Sequence, residues 1–542
     1  MKNNVFLFTL LLLFGTRVYA QPKVSASKPY QVIDSYWKDY YSRGDEAMAI
    51  KFADEKMIIQ KFNTKKPELL ATNSFNYTPD ENGIQIKKAR IIYITEFNDR
   101  YYYFYTSANK DKEDSEKMYM REIDFAKGEP IGNGTFLYEA NNVAGFNTAS
   151  MMGIPMGTSF GNYLFQKSYS GSHLLIQYSL KPKIKRDALN NEIVGLNIFD
   201  KDLKPVWNQE ITMPYTEKKM NIMDYTVDAG GNAYILSLIY NDNSTKIKKG
   251  DDPNFHIELL KYKPNSTTAE IIPLEMPGKF IGKLWIYGLP ESKIVCVGYY
   301  NSGKNLSNAD GIISFTIDNS GKVIDTKSFE IPMEILNQNE SKREQKRNEK
   351  AETKSNAEFA NLRLNELIVR DDGSYVLVGE QAYSVTTESN FNGRITRTTR
   401  YYYNDILVSK LSNDGKLTWM KKIPKLQMGY SGLGGLSYKI LMGQETHYVV
   451  FADNRENNKL LPNQVPEQFA DGKNGYLTAY SIDDSTGASK RIPILDMEEF
   501  NDIQLYQFSK NRILKAGDNA FVFECYKKKK EDIMIRVDFN KK

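Results

Sequence analysis

One pattern recurs along this 542-residue chain and restricts its fold more than any other feature: an apolar strand, a short turn rich in Asp, Asn and Gly, and a second strand ending near Ile-Pro. The fullest copy runs from Val408 through Asn413-Asp414-Gly415 to Trp419 and Ile423-Pro424. Related copies run from Ile198 to Pro214, from Phe315 to Pro332, from Leu260 to Pro273 and from Tyr480 to Pro493. Asn-Gly or Asp-Gly between apolar strands is the strongest short-range hairpin signal. A second hairpin alternates with the first, as in Tyr225 to Leu236 and Leu367 to Val378. Joined, the two make a four-stranded antiparallel meander, and the meanders fall near 85–140, 160–215, 220–275, 280–333, 360–425, 436–495 and 500–540. Radial repetition of such sheets protects strand edges without helices. The spacing predicts an all-β fold, a β-propeller of seven four-stranded blades. Rings of six or eight blades and separate β-sandwiches are the competing architectures.

The last repeat is one strand short. Met57 to Phe62, ahead of the first repeat, is a spare strand, and the sequence predicts that this N-terminal strand closes the ring. Asp34 to Lys51 reads as a helix packed outside it. Residues 337–361 form a charged insertion without Gly or Pro, with mixed charges at helical spacing.

The first 20 residues have a basic start, an apolar run from Val5 to Phe14 and a small residue at Ala20, the pattern of a secretory signal peptide. The run is shorter than the roughly 20 residues a bilayer span needs, and no transmembrane span is expected later. The expected organisation is a leader at 1–20, a segment at 21–84 that includes the closing strand, and the propeller at 85–540. An exported protein of the periplasm or outer cell surface follows. With 72 basic and 67 acidic residues the net charge is only +5. That is too weak a field to point to nucleic acid. Cys296 and Cys525 both lie in apolar strand runs and read as buried thiols.

Loop lengths carry the functional information. The connections between second and third strands are long near 108–117, 180–192, 241–255, 301–311, 384–403 and 453–476, and all should emerge on one face. Long loops on a rigid scaffold are where binding residues concentrate. Candidate binding residues there are Lys183, Lys185, Arg186, Arg394, Arg397, Arg400 and Tyr401. Cations beside aromatics can hold a polyanion or a sugar acid. Catalytic signals are weak. The three histidines, His173, His256 and His447, have no metal-ligand spacing, and neither metal nor cofactor is expected. Gly157-Thr158-Ser159-Phe160-Gly161 precedes a strand-like run, whereas a nucleophile elbow needs a helix there.

With its Asn-Asp-Gly … Trp hairpins, the repeat resembles secreted β-propellers of Bacteroidota from about residue 85 onward. The resemblance implies a fold and no activity. The expected function is a non-enzymatic binding or scaffold module. Its partner would be a protein of the cell envelope or a glycan, with peripheral association to an outer-membrane complex. A propeller glycosidase or polysaccharide lyase, and a structural envelope subunit, are the alternatives.

Overall fold

The computed structural model describes residues 21–108, 114–144, 159–160, 162–182, 187–275, 277–301, 305–352, 357–391, 394–430, 433–461, 464–470, 475–498, 505–506, 509–527 and 530–539. The proposed leader lies outside them, as do Lys183, Lys185 and Arg186.

Short strands dominate, in antiparallel meanders. Among the described residues eight sheets have four or more strands. The first holds Trp37–Arg43, Glu46–Ala53, Lys56–Asn63 and Glu68–Asn76. The second is built on Arg90–Phe97, Arg100–Ala108, Ser115–Asp124 and Thr135–Asn141. The third is built on Tyr163–Lys167, His173–Ser179, Asn191–Asp200 and Pro205–Thr216. The fourth holds Met220–Val227, Ala233–Tyr240, Phe255–Tyr262 and Glu270–Leu274. The fifth holds Phe280–Gly288, Ile294–Asn301, Gly311–Ile317 and Val323–Glu330. The sixth is built on Leu362–Val369, Tyr375–Phe391, Arg394–Leu411 and Leu417–Ile423. The seventh holds Lys439–Leu441, Thr446–Asn454, Gly475–Asp483 and Ser489–Asp496. The eighth combines Ile513–Lys515, Ala520–Lys527 and Glu531–Asp538 with Lys23–Ala26 from the other end of the chain.

Burial explains the composition of each strand. Second strands such as Ile294–Asn301 are buried throughout. Both of their faces meet protein, so they read as unbroken apolar runs. Fourth strands such as Glu68–Asn76 and Val323–Glu330 alternate between half-buried and exposed, as an outer edge facing water must. The apolar core is divided among the gaps between consecutive sheets. Met48, Ile50 and Phe52 meet Ile91 and Tyr103 of the second sheet. Leu236 and Leu259 meet Ile286 and Cys296 between the fourth and fifth. Val450 and Leu477 meet Phe523 and Ile535 between the seventh and eighth. Val522 and Met534 of the eighth sheet pack on Ala47, Ala49 and Phe62 of the first. The architecture is a β-propeller. Cys296 and Cys525 are buried and unbridged.

Three expectations need correction. Asp34 to Lys51 is not helical: it holds the strands Trp37–Arg43 and most of Glu46–Ala53, joined through Gly44 at φ 58°. Ala47 and Ala49 face one neighbouring sheet while Met48 and Ile50 face the other, which is a period of two. Met57 to Phe62 does not complete the last sheet. It lies in the third strand of the first sheet, with Met57 opposite Phe75. The last sheet takes its fourth strand from Lys23–Ala26, Val24 standing opposite Val537. Residues 37–76 therefore form a whole sheet that a division into seven repeats passes over.

Helix α1 (Met333–Asn337) leads into the charged insertion, and helix α2 (Lys342–Glu352) lies within it. No side chain of α2 is buried. The segment between them is tied to the sixth sheet, where Lys422 Nζ sits 2.8 Å from Glu340 and 2.9 Å from Asp405.

Candidate binding face and axial lining

In a meander, the first-to-second and third-to-fourth turns share one end of the sheets. The second-to-third turns and the links to the next sheet share the other. The first end is trimmed to tight turns such as 44–45, 98–99, 318–322 and 412–416. The second end carries the segments 77–89, 241–254, 331–361, 424–438 and 455–474. Of the second-to-third connections, only 54–55, 392–393 and 528–530 are very short. The links between sheets, which sequence reasoning did not weigh, lengthen this face further.

The segment 384–403 is not a loop. Tyr375–Phe391 and Arg394–Leu411 stay paired out to Phe391 and Arg394, so a two-stranded ribbon projects from the sixth sheet. Its end exposes Phe391, Ile395 and Val385. The register separates the candidate residues. Val385 stands opposite Arg400 and Phe391 opposite Arg394, which puts these positions on one face. Arg397 opposite Glu388, and Tyr401 opposite Ser384, fall on the other. Arg397 Nε is 2.5 Å from Glu388 Oε1, which neutralises it. Arg400 sits against the hydroxyls of Tyr430 and Tyr402, which raise its basicity further. At the base of that face Tyr383 and Tyr402 stack at 4.8 Å.

The trimmed end is closed by internal contacts. Asp484 accepts from Arg370 at 2.8 Å, His447 at 2.7 Å and Lys410 at 2.7 Å, while Trp419 donates to its carbonyl at 2.8 Å. Burial lowers the basicity of His447, partly offset by Asp484. These contacts join the sixth and seventh sheets.

The first strands of the sheets form the inner lining. Four carry a β-bulge at a corresponding place, after Ile91, Ile222, Ile281 and Leu364. Bulges re-aim side chains and occur often beside functional sites. The residues just past them are Tyr93, Asp224, Lys283 and Glu366, all partly buried. Burial pushes the Asp224 carboxyl up to about 7, although the Ile286 and Tyr225 amides donate to it at 2.9 Å. Loss of solvent, then the Arg363 guanidinium, brings the Lys283 ammonium down to about 8. Burial raises Glu366, with Lys439 and Lys510 pulling the other way. In the first sheet Asp39 is pushed up to about 6 by burial, despite accepting from Trp37 Nε1 at 2.7 Å. Sequence reasoning missed this lining. Its signal is a lone charge inside an apolar inner strand, as in Phe280-Ile281-Gly282-Lys283-Leu284-Trp285. Among the described residues no group of three potential metal ligands converges.

No family model matches the chain, and no curated protein matches it. Solved structures do. A prolyl endopeptidase is similar at 11% identity over 91% of this chain and 55% of its own, with a TM-score of 0.39. The WD40 domain of SCAP from fission yeast is similar at 6% identity over 96% and 98%, with a TM-score of 0.33. The propeller domain of the Trilobed protease from Pyrococcus furiosus is similar at 10% identity over 88% and 98%, with a TM-score of 0.31. The chain thus spans about half the length of the endopeptidase. At these scores the likenesses carry no conclusion about activity, and the propeller rests on the chain's own sheets.

Proposed function

We propose that the chain is an exported, non-enzymatic binding module: an eight-bladed ring, closed by Lys23–Ala26, that holds a protein or glycan of the cell envelope on its elaborated face. Export rests on the leader-like residues 1–20. Among the described residues no helix is long and apolar enough to cross a membrane, in keeping with peripheral association. The observation that carries the reading is the asymmetry of the two ends: one is tight and internally bonded, the other bears the ribbon, both helices and the long connections. A rigid scaffold with long segments on one face suits recognition, and an isolated two-stranded ribbon is at best marginally stable in water.

The test is cross-linking in cells of the native source. A variant with residues 384–401 replaced by an Asn-Gly turn should keep its melting temperature within a few degrees and lose the cross-linked species. A variant altered at the 318–322 turn should keep that species. Equal cross-linking by both variants, or none by the unaltered chain, would refute the reading.

A further inference from the structure

Beyond Ala382 the sixth sheet continues as two strands only. A bulge between Glu380 and Ala382 bends the strand Tyr375–Phe391 away from the sheet. The first strand, Leu362–Val369, follows it no further than Gln381. From Tyr383 to Phe391 no strand among the described residues pairs with that edge. Every residue from Ser384 to Phe391 is exposed. A two-stranded ribbon in water is marginal, and three or more strands are needed for independent stability.

The two edges of the ribbon differ. The strand Arg394–Leu411 carries Arg394, Arg397 and Arg400 on its side, and the Tyr401–Tyr403 stretch beyond them is already covered by Gln427–Gly429. Charged side chains keep an edge from pairing. A second copy laid antiparallel here about Arg397 would set Arg397 against Arg397 and Arg394 against Arg400, and like charges directly opposite are destabilising. The other edge, Tyr383 to Phe391, has no Lys, Arg, Pro or Gly. Its one charge, Glu388, is paired within the ribbon by Arg397. Val385, Thr386 and Thr387 favour extended backbone, and a long edge with so little charge is a template for another strand.

This edge is also self-complementary. A two-fold axis at Thr387 sets Thr387 opposite Thr387, Val385 opposite Ser389 and Tyr383 opposite Phe391 of the second copy. Glu388 falls opposite Thr386, so no like charges meet across the seam. The Phe391 ring, 79% exposed, gains an aromatic neighbour in Tyr383, itself stacked on Tyr402 at 4.8 Å.

We propose that the edge Tyr383–Phe391 is the interface of a homodimer, in which two ribbons join about a two-fold axis into one four-stranded antiparallel sheet. The dimer goes beyond the partner-binding reading and is measured on the purified chain. In cells, a cross-linked species of twice the chain's mass belongs to the dimer and one holding another molecule belongs to the partner, so either can fail alone.

Sedimentation velocity of the purified mature chain at micromolar concentration tests it, and a dimer is expected. Val385→Lys combined with Thr387→Lys brings like charges together across the seam and should weaken the dimer by roughly tenfold or more. Thr396→Lys combined with Thr398→Lys adds the same charge to the other strand and should leave it intact. All four positions lie on the ribbon outside the core, so both variants should melt within a few degrees of the unaltered chain. A covalent bridge reads the register. Cys296 and Cys525 are buried, so Thr387→Cys supplies the one exposed thiol. Opposed residues of antiparallel strands lie about 4.5–5.5 Å apart at Cα, within disulfide reach. Oxidation should join two chains through position 387 and should not join them in Thr398→Cys, one strand further from the axis. A chain that stays monomeric would leave the edge to a foreign strand and overturn the dimer. A dimer that survives the changes at 385 and 387, or is lost equally with those at 396 and 398, would overturn the interface.

Discussion

Lys51→Met is expected to destabilise the protein by about 3–5 kcal/mol, the range found when one partner of a buried ion pair is removed. Lys51 and Glu524 are both fully buried where the first and eighth sheets meet, with Nζ 2.6 Å from Oε1. Tyr30 donates to the same carboxylate at 2.9 Å, and Tyr40 donates to its other oxygen. Asp532 lies 3.9 Å from Lys51 and is pushed up to about 6, first by burial and then by Glu524. Burial alone would raise Glu524, but Lys51, helped by the Tyr40 hydroxyl and Arg512, holds it below its ordinary value. Without Lys51 the carboxylate keeps only the Tyr30 and Tyr40 donors and the more distant Arg512 against its burial, and its pKa in the folded state is expected to climb above the unfolded value. The variant then loses stability as pH rises through that range, so its penalty is larger at pH 8 than at pH 5. Lys51→Met combined with Glu524→Leu should recover much of the loss, because no charge is left behind. Urea unfolding of the single and double variants measures both quantities. A loss below about 1 kcal/mol for the single variant would mean that this junction is not sealed from water.

Gly298→Ala should be the next most damaging change, at about 3 kcal/mol, near the upper end for overpacking. The added carbon would meet the Lys283 carbonyl oxygen at 2.0 Å and the Leu284 Cα at 2.9 Å. Both are backbone atoms, so no side chain can rotate away. Relief requires straightening the bulge, which turns Lys283 away from the inner edge. Urea unfolding of the variant should show that loss. Unchanged stability would show that the bulge after Ile281 does not depend on glycine at 298.

What could be read from residues alone was local. Asp200, Asp228 and Asp318 each open a turn by accepting two backbone amides on one carboxylate oxygen, at 2.8–2.9 Å. That chemistry is written in the turn residues themselves, and the repeats found from it match sheets two to eight. The first sheet was missed because its turns, Gly44-Asp45 and Asp54-Glu55, lack the Asn-Gly or Asp-Gly signature; Asp54 takes a left-handed φ of 51° without glycine. The closing strand was misplaced because Lys23–Ala26 has only four residues and no hairpin partner in sequence. Of the candidate residues, Arg397 and Arg400 fall on opposite faces of the ribbon, a separation fixed by register and invisible to composition. Tyr93, Asp224, Lys283 and Glu366 come from four different repeats, and their corresponding places just past a bulge in a first strand are set by strand register, which composition does not show.

An engineered disulfide tests the closure of the ring most directly. Val24 and Val537 stand opposite each other, and neighbouring strands hold such pairs within the roughly 4.4–6.8 Å Cα separation that a disulfide spans. Cysteines at both positions should oxidise to an intramolecular bond, seen by mass and by non-reducing gel, and should raise the melting temperature. A chain that fails to bridge 24 with 537, but bridges cysteines placed at 57 and 537, would contradict closure by Lys23–Ala26 and with it the eighth sheet of the ring.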